Sequence, residues 1–136
     1  MFSDEVKIVQ FYGSKQFVRR PATQRYLPKF TTSIVKHSPS VMVWGCMSGK
    51  GSGSLWVMPK NTTITSKVYL DVLKETLDPS MTILGSDTFQ QDGAPVHTAK
   101  IVKKWLSEKN IKLLDWPGSS PDLNAIENCW MILKNY

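Results

Sequence analysis

Apolar and polar positions alternate from the start of the chain. In Phe2-Ser3-Asp4-Glu5-Val6-Lys7-Ile8-Val9-Gln10-Phe11, residues Phe2, Val6 and Ile8 fall on one side, which predicts a strand. An acid, Asp4, shares that side, and an acid among apolar neighbours is costly unless it is paired or metal-bound. Because this strand begins at Met1, the chain reads as cut at its start. Residues 13–36 contain Pro21 and Pro28 and predict short strands with an extended loop. Ser40 to Met47 is a continuous apolar run between turn residues, the pattern of a strand buried on both faces. Gly49-Lys50-Gly51-Ser52-Gly53 then turns into a strand, Ser54 to Met58, which Pro59 ends. That turn lacks the Gly-Lys-Ser/Thr ending of a phosphate loop.

The period then changes to that of helices. Thr65 or Ser66 caps a helix expected to reach about Leu77, with Tyr69, Val72, Leu73 and Leu77 buried and Pro79 as its stop. Asp87 to Asp92 reads as a short strand, turned sharply by Gly93 and Pro95. Thr98 is the expected cap of a helix that buries Ile101, Val102, Trp105 and Leu106 and leaves Lys100, Lys103, Lys104 and Lys109 wet. Ile111 to Trp116 is the next strand, closed by Pro117. The last helix is expected to start near Asp122 or Asn124 and to bury Ile126, Cys129, Trp130 and Leu133. Glu127 follows Ile126 by about 100° around that helix, at the edge of its buried face. Three strands, then helix, strand, helix, strand, helix is a mixed α/β order.

Length and composition narrow the class. At 136 residues the chain fits one domain. It has no run of eighteen apolar residues and no basic segment followed by an apolar one, so neither a membrane span nor a signal peptide is expected. Cys46 and Cys129 have no metal-ligand spacing, and with only His37 and His97 beside them they read as buried thiols. The net charge of +6 is unevenly spread: Val6 to Leu70 carries ten Lys or Arg and no acid, while the rest carries seven cations and eleven acids. Such a split favours a polyanionic partner, although a solvated basic face accounts for it equally well. Lys15, Arg19, Arg20, Arg25, Lys29 and Lys36 are interleaved with Phe17, Tyr26 and Phe30, a mixture suited to phosphate contacts and base stacking, or to a hairpin with snorkelling cations.

Two stretches carry the candidate chemistry, Gln90-Gln91-Asp92-Gly93-Ala94-Pro95-Val96-His97-Thr98 and Asp115-Trp116-Pro117 through Ile126-Glu127. Each sets a carboxylate where a strand ends or a helix begins, and 34 residues lie between Asp92 and Glu127. Magnesium and manganese take oxygen ligands, and phosphoryl transfer commonly uses two such ions. Asp4, Asp92 and Glu127 converge if the first and fourth strands are neighbours and the last helix packs across them. By spacing alone, Asp87, Asp115 and Asp122 compete for the same role. His97, after the turn, either orients Asp92 or a phosphate or is purely structural, and Trp44, Trp105 and Trp130 sit at core periodicities.

These blocks, with Phe2-Ser3-Asp4-Glu5, Val18-Arg19-Arg20-Pro21 and Val41-Met42-Val43-Trp44-Gly45, resemble in order the catalytic domain of Tc/mariner-family transposases of the DDE superfamily. The resemblance implies a ribonuclease H-like mixed sheet flanked by helices. It implies Asp4, Asp92 and Glu127 as catalytic ligands of two Mg2+ or Mn2+ ions, and metal-dependent DNA strand cleavage and strand transfer. The closing glutamate and its spacing resemble the Tc branch. As partners it implies double-stranded DNA, both transposon ends and target, and it allows a homodimer; the setting is nuclear, with no membrane. Residues 15–36 match the family segment that can reach DNA or a partner subunit. Ala125 stands where the family usually has proline before Ile-Glu, which loosens the loop before Glu127. The paired helix-turn-helix region of the family is not found before Met1, so residues 1–136 read as an incomplete catalytic domain. The alternative is an inactive DNA-binding or host-recruited interaction remnant, which would bind DNA without cleaving it.

Overall fold

A computed structural model describes residues 1–9, 39–117 and 120–134. The chain divides into two compact units, Met1–Ile8 with Val41–Tyr136 and Val9–Ser40. Strand β1 spans Phe2–Val9, β2 Ser40–Ser48 and β3 Gly51–Val57, and they lie in the order β1-β2-β3. β2 and β3 form an antiparallel hairpin with Trp44 opposite Trp56 and an irregularity between Gly45 and Met47. Two short strands, β4 (Thr88–Phe89) and β5 (Lys112–Leu113), pair in parallel. A parallel bridge between Phe2 and Gln90 sets β1 beside β4. The seam is reinforced from both sides, since the Ser3 hydroxyl donates to the Gln90 carbonyl at 2.9 Å and the Ser3 amide donates to Gln90 Oε1 at 3.2 Å.

Helices cover both faces of the sheet, because β2 alternates core residues. Trp44 and Cys46 enter the larger core, with Tyr69, Val72, Leu73, Leu77, Phe89, Val102 and Leu106. Val43 points the other way, to Val6, Ile126 and Trp130. The larger core is built by helix α1 (Ser66–Val72), α2 (Asp78–Leu84) and α3 (Lys100–Glu108), the smaller by α4 (Ile126–Lys134). Thr65 caps α1 as expected, its side chain accepting from the Val68 amide.

Several boundaries differ from expectation. Pro79 does not stop the first helix. Residues Leu73–Leu77 form a π-helical turn in which the Asp78 amide reaches back to Leu73 O, so the hydrogen-bond ladder slips just before a residue that has no N–H. Pro79 then sits in the first turn of α2, and Gly85, in the left-handed region at φ 58°, ends the helix. Thr98 does not cap α3; its hydroxyl turns back to the Ala94 carbonyl, and Ala99 stands at the cap position. Ile101 is exposed, because only Val102, Trp105 and Leu106 lie on the narrow face that meets the sheet. The strand expected over 111–116 shortens to β5. Cys129 and Leu133 are exposed and α4 buries only Ile126 and Trp130, four residues apart on one stripe.

Candidate active site

The three acids singled out in the sequence come from three elements and line a single cleft of about 460 Å³. Asp4 lies on β1, Asp92 follows β4 and Glu127 is in the first turn of α4. Gln90, Gly93, Ala94, Trp116, Pro117, Ser120, Pro121 and Asn124 complete the lining. Of the competing acids, Asp115 and Asp122 are exposed and do not line this cleft. Asp87 is exposed too and forms a 2.9 Å ion pair with Lys112. The basic side chains Lys15, Arg19, Arg20, Arg25, Lys29 and Lys36 lie outside the described residues.

Asp4 faces the same side of β1 as Val6, where α4 packs. Its Oδ2 accepts a hydrogen bond from the Trp130 indole N–H at 3.1 Å. Burial first, then the charge of Glu127, pushes the Asp4 carboxyl up from 3.8 to about 6; the hydrogen bond from Trp130 only partly opposes this. Trp130 therefore does more than pack. It reaches Asp4 across Gly45, where an added Cβ would come within 2.6 Å of the indole. That constraint explains the glycine in Val41-Met42-Val43-Trp44-Gly45, which sequence reading used only as a match.

The approach of α4 to β1 is fixed by Asn124. Its side-chain amide donates to the Ser3 carbonyl at 3.0 Å, while its Oδ1 accepts from the Ile126 amide at 3.4 Å. The same side chain thus starts the helix and ties it to β1 one residue before Asp4. Ala125, in the position that the family usually gives to proline, sits between these anchors.

Asp92 is exposed to the cleft, its side chain 58% accessible. Its Oδ1 accepts from the Ala94 amide at 3.0 Å and meets Nδ1 of His97 in a short contact. His97 is buried, and its Nε2 lies 3.0 Å from Oε1 of Glu5, on the opposite side of β1 from Asp4. The imidazole stacks on Tyr69 with ring centroids 4.1 Å apart, and Tyr69 donates to Gln91 at 2.9 Å. Burial alone would lower the His97 pKa, but the hydrogen bond and charge of Glu5 and the charge of Asp92 outweigh it and hold it above its ordinary value. Sequence reading raised His97 as a partner of Asp92 but missed Glu5, whose alternation with Asp4 was the available signal.

Among the described residues, three carboxylates and no other ionisable group line the cleft, an oxygen-only donor set suited to hard divalent cations. Burial and the neighbouring Glu127 charge both disfavour the ionised Asp4, a cost that a bound cation would offset. On both counts the residues fit such an ion. They do not form a closed cage: among the described residues, no three His, Cys, Asp or Glu side chains are gathered as one ion's ligands. Among the described residues, no helix is long and apolar enough to cross a membrane.

The sequence profile of the DDE superfamily endonucleases matches residues 1–136. The Transposable element Tcb2 transposase of Caenorhabditis briggsae is 40% identical over 135 residues, which cover 96% of this chain and 48% of that protein. The Mos1 transposase paired-end complex with left transposon end superposes with a TM-score of 0.76 at 22% identity, over 98% of this chain and 40% of that one. The mariner Mos1 paired end complex with Mg gives 0.74 at 22% identity, over 96% and 40%. At such identities the structural likeness speaks for the fold, and it matches the mixed sheet flanked by helices expected from sequence. The chain spans about half the length of the curated relative it matches.

Proposed function

The chain belongs to the DDE superfamily endonucleases, and from that premise we propose that it is the catalytic domain of a Tc-type transposase. It cleaves a DNA strand at a transposon end and joins the freed 3′-hydroxyl to target DNA. The observation that carries this reading is that Asp4, Asp92 and Glu127, from three separate elements, line one cleft. These residues would hold two Mg2+ or Mn2+ ions. Bound there, the metals supply activation of the attacking oxygen and stabilisation of charge on the leaving one.

The chain's own contribution is position. Asp92 presents a carboxylate whose Oδ1 is already engaged by Ala94 and His97. Asp4 is steadied by Trp130, and Glu127 is brought to the cleft by Asn124 anchoring α4 on β1. No covalent intermediate on the protein is needed, so alignment of the phosphodiester supplies much of the rate. The basic residues Lys15 to Lys36 are proposed to contact the DNA backbone, and nuclear DNA is the proposed substrate.

The test is nicking of supercoiled plasmid by the purified 136-residue chain with Mn2+. Nicking by the wild type that disappears in Asp92→Ala and Glu127→Ala supports the proposal. Salt-sensitive DNA binding without nicking would replace it with a non-catalytic DNA-binding role, and nicking that survives in both variants would move the chemistry elsewhere.

A further inference from the structure

The loop that carries Asp92 folds back so that one of its own side chains sits behind the carboxylate. The amides of His97 and Thr98 both donate to the Ala94 carbonyl, at 2.9 and 3.0 Å, closing a turn immediately after Asp92. The Gln91 side chain donates to the His97 carbonyl at 3.0 Å and accepts from Tyr69, which locks the returning strand of the loop from below. The His97 ring is thereby held between two carboxylates from different elements, Asp92 on the loop and Glu5 on β1. Its side chain is 6% accessible and that of Glu5 16%, against 58% for Asp92, so the chain of contacts runs from the interior out to the cleft.

Carboxylate oxygens facing both ring nitrogens fix the orientation of the imidazole. A flip about the Cβ–Cγ bond would put carbons where the two nitrogens stand and lose both contacts, and stacking on Tyr69 blocks tilting. The consequence falls on Asp92. With Oδ1 engaged by both His97 and Ala94, the carboxylate's rotation is set before any ligand arrives.

We infer that Glu5 and His97 are positioning residues that fix the Asp92 carboxylate for binding a divalent cation, with Glu5 acting through His97. The inference rests on the proposed role of the cleft, and it adds two residues that bind no metal themselves. Hydrogen-bonded partners of metal ligands usually matter at the level of 10–100-fold in affinity.

The experiment is Mn2+ binding to the 136-residue chain, read from the electron paramagnetic resonance signal of the free ion, beside thermal unfolding of each variant. His97→Asn keeps a donor near the position of Nδ1, towards Asp92. His97→Gln keeps one near Nε2, towards Glu5. His97→Phe keeps only the stacked ring. The expected result is a dissociation constant raised about 10–100-fold in His97→Phe and His97→Gln, largely restored in His97→Asn, and raised about tenfold in Glu5→Ala. A role confined to stability would not distinguish Asn from Gln at equal thermal midpoints. Should His97→Phe fail to fold, the comparison of Asn with Gln still decides. Equal affinity in His97→Asn, His97→Gln and wild type, with Asp92→Ala markedly weaker, would overturn the positioning role and leave the cleft's function standing. Wild-type affinity in Asp92→Ala would overturn both.

Discussion

Asp4→Asn should make the protein more stable at neutral pH while removing its activity. The Asp4 carboxyl is pushed from 3.8 to about 6, chiefly by burial and then by the charge of Glu127. A raised carboxyl pKa means that the folded state holds the proton more tightly than the unfolded state. Stability is therefore unaffected by this group below about pH 4, falls as pH rises through about 6, and stays lowered above it. The nominal cost of that displacement is ~3 kcal/mol. Asp4 is only half-buried, and solvent screening reduces this to about 1 kcal/mol. Asparagine keeps the acceptor for Trp130 and removes the charge. Urea unfolding without divalent metal should show Asp4→Asn more stable by about 1 kcal/mol at pH 7.5, or about 3–5 °C in thermal midpoint, and equal to wild type near pH 4. Mn2+ should stabilise the wild type and not the variant. A variant no more stable at pH 7.5, or one whose gain is the same at pH 4, would refute the reasoning.

Other substitutions separate the supports of the site. Gly45→Ala should cost about 1–3 kcal/mol in urea unfolding, because the new methyl displaces the Trp130 ring, and nicking should fall as Asp4 loses its hydrogen bond. Trp130→Phe retains most of the packing but not the indole N–H; removing a net favourable bond to a carboxylate predicts about 1.5–3 kcal/mol lost at pH 7.5, measured against the same variant in an Asp4→Asn background, where the loss should shrink. Asn124→Ala leaves the Ser3 carbonyl unpaired and removes the bond to the Ile126 amide, for a cost of about 1–3 kcal/mol, with nicking reduced more than plasmid binding.

Much of this site was legible in the residues because it depends on element order. Period-two alternation put Asp4 on a strand, the Gly93 and Pro95 turn put Asp92 after a strand, although β4 closes at Phe89 and not at Asp92, and helical phase put Glu127 at the edge of a buried stripe. The requirement that the first and fourth strands be neighbours is met by the Phe2 and Gln90 bridge. What could not be read is decided by tertiary contacts. Pro79 looked like a helix stop because sequence rules assume an unbroken α ladder, and a π turn removes the need for its N–H. Thr98 had two acceptable partners, and the Ala94 carbonyl won. Cys129 and Leu133 share an apolar periodicity with Ile126 and Trp130, but the sheet surface facing α4 is narrow enough to cover only the latter pair. The alternation of Glu5 with Asp4 was open to view, but its pairing with His97 spans 92 positions and could not be read locally.

The central claim is that Asp4, Asp92 and Glu127 form one two-metal site. A crystal structure grown with Mn2+, with the ions identified by anomalous scattering, tests it most directly. The account predicts two ions about 3.5–4 Å apart in this cleft, with all three carboxylates among their ligands and His97 still behind Asp92. Ions bound elsewhere, or a cleft in which Asp4 or Glu127 turns away from Asp92 with metal present, would contradict it.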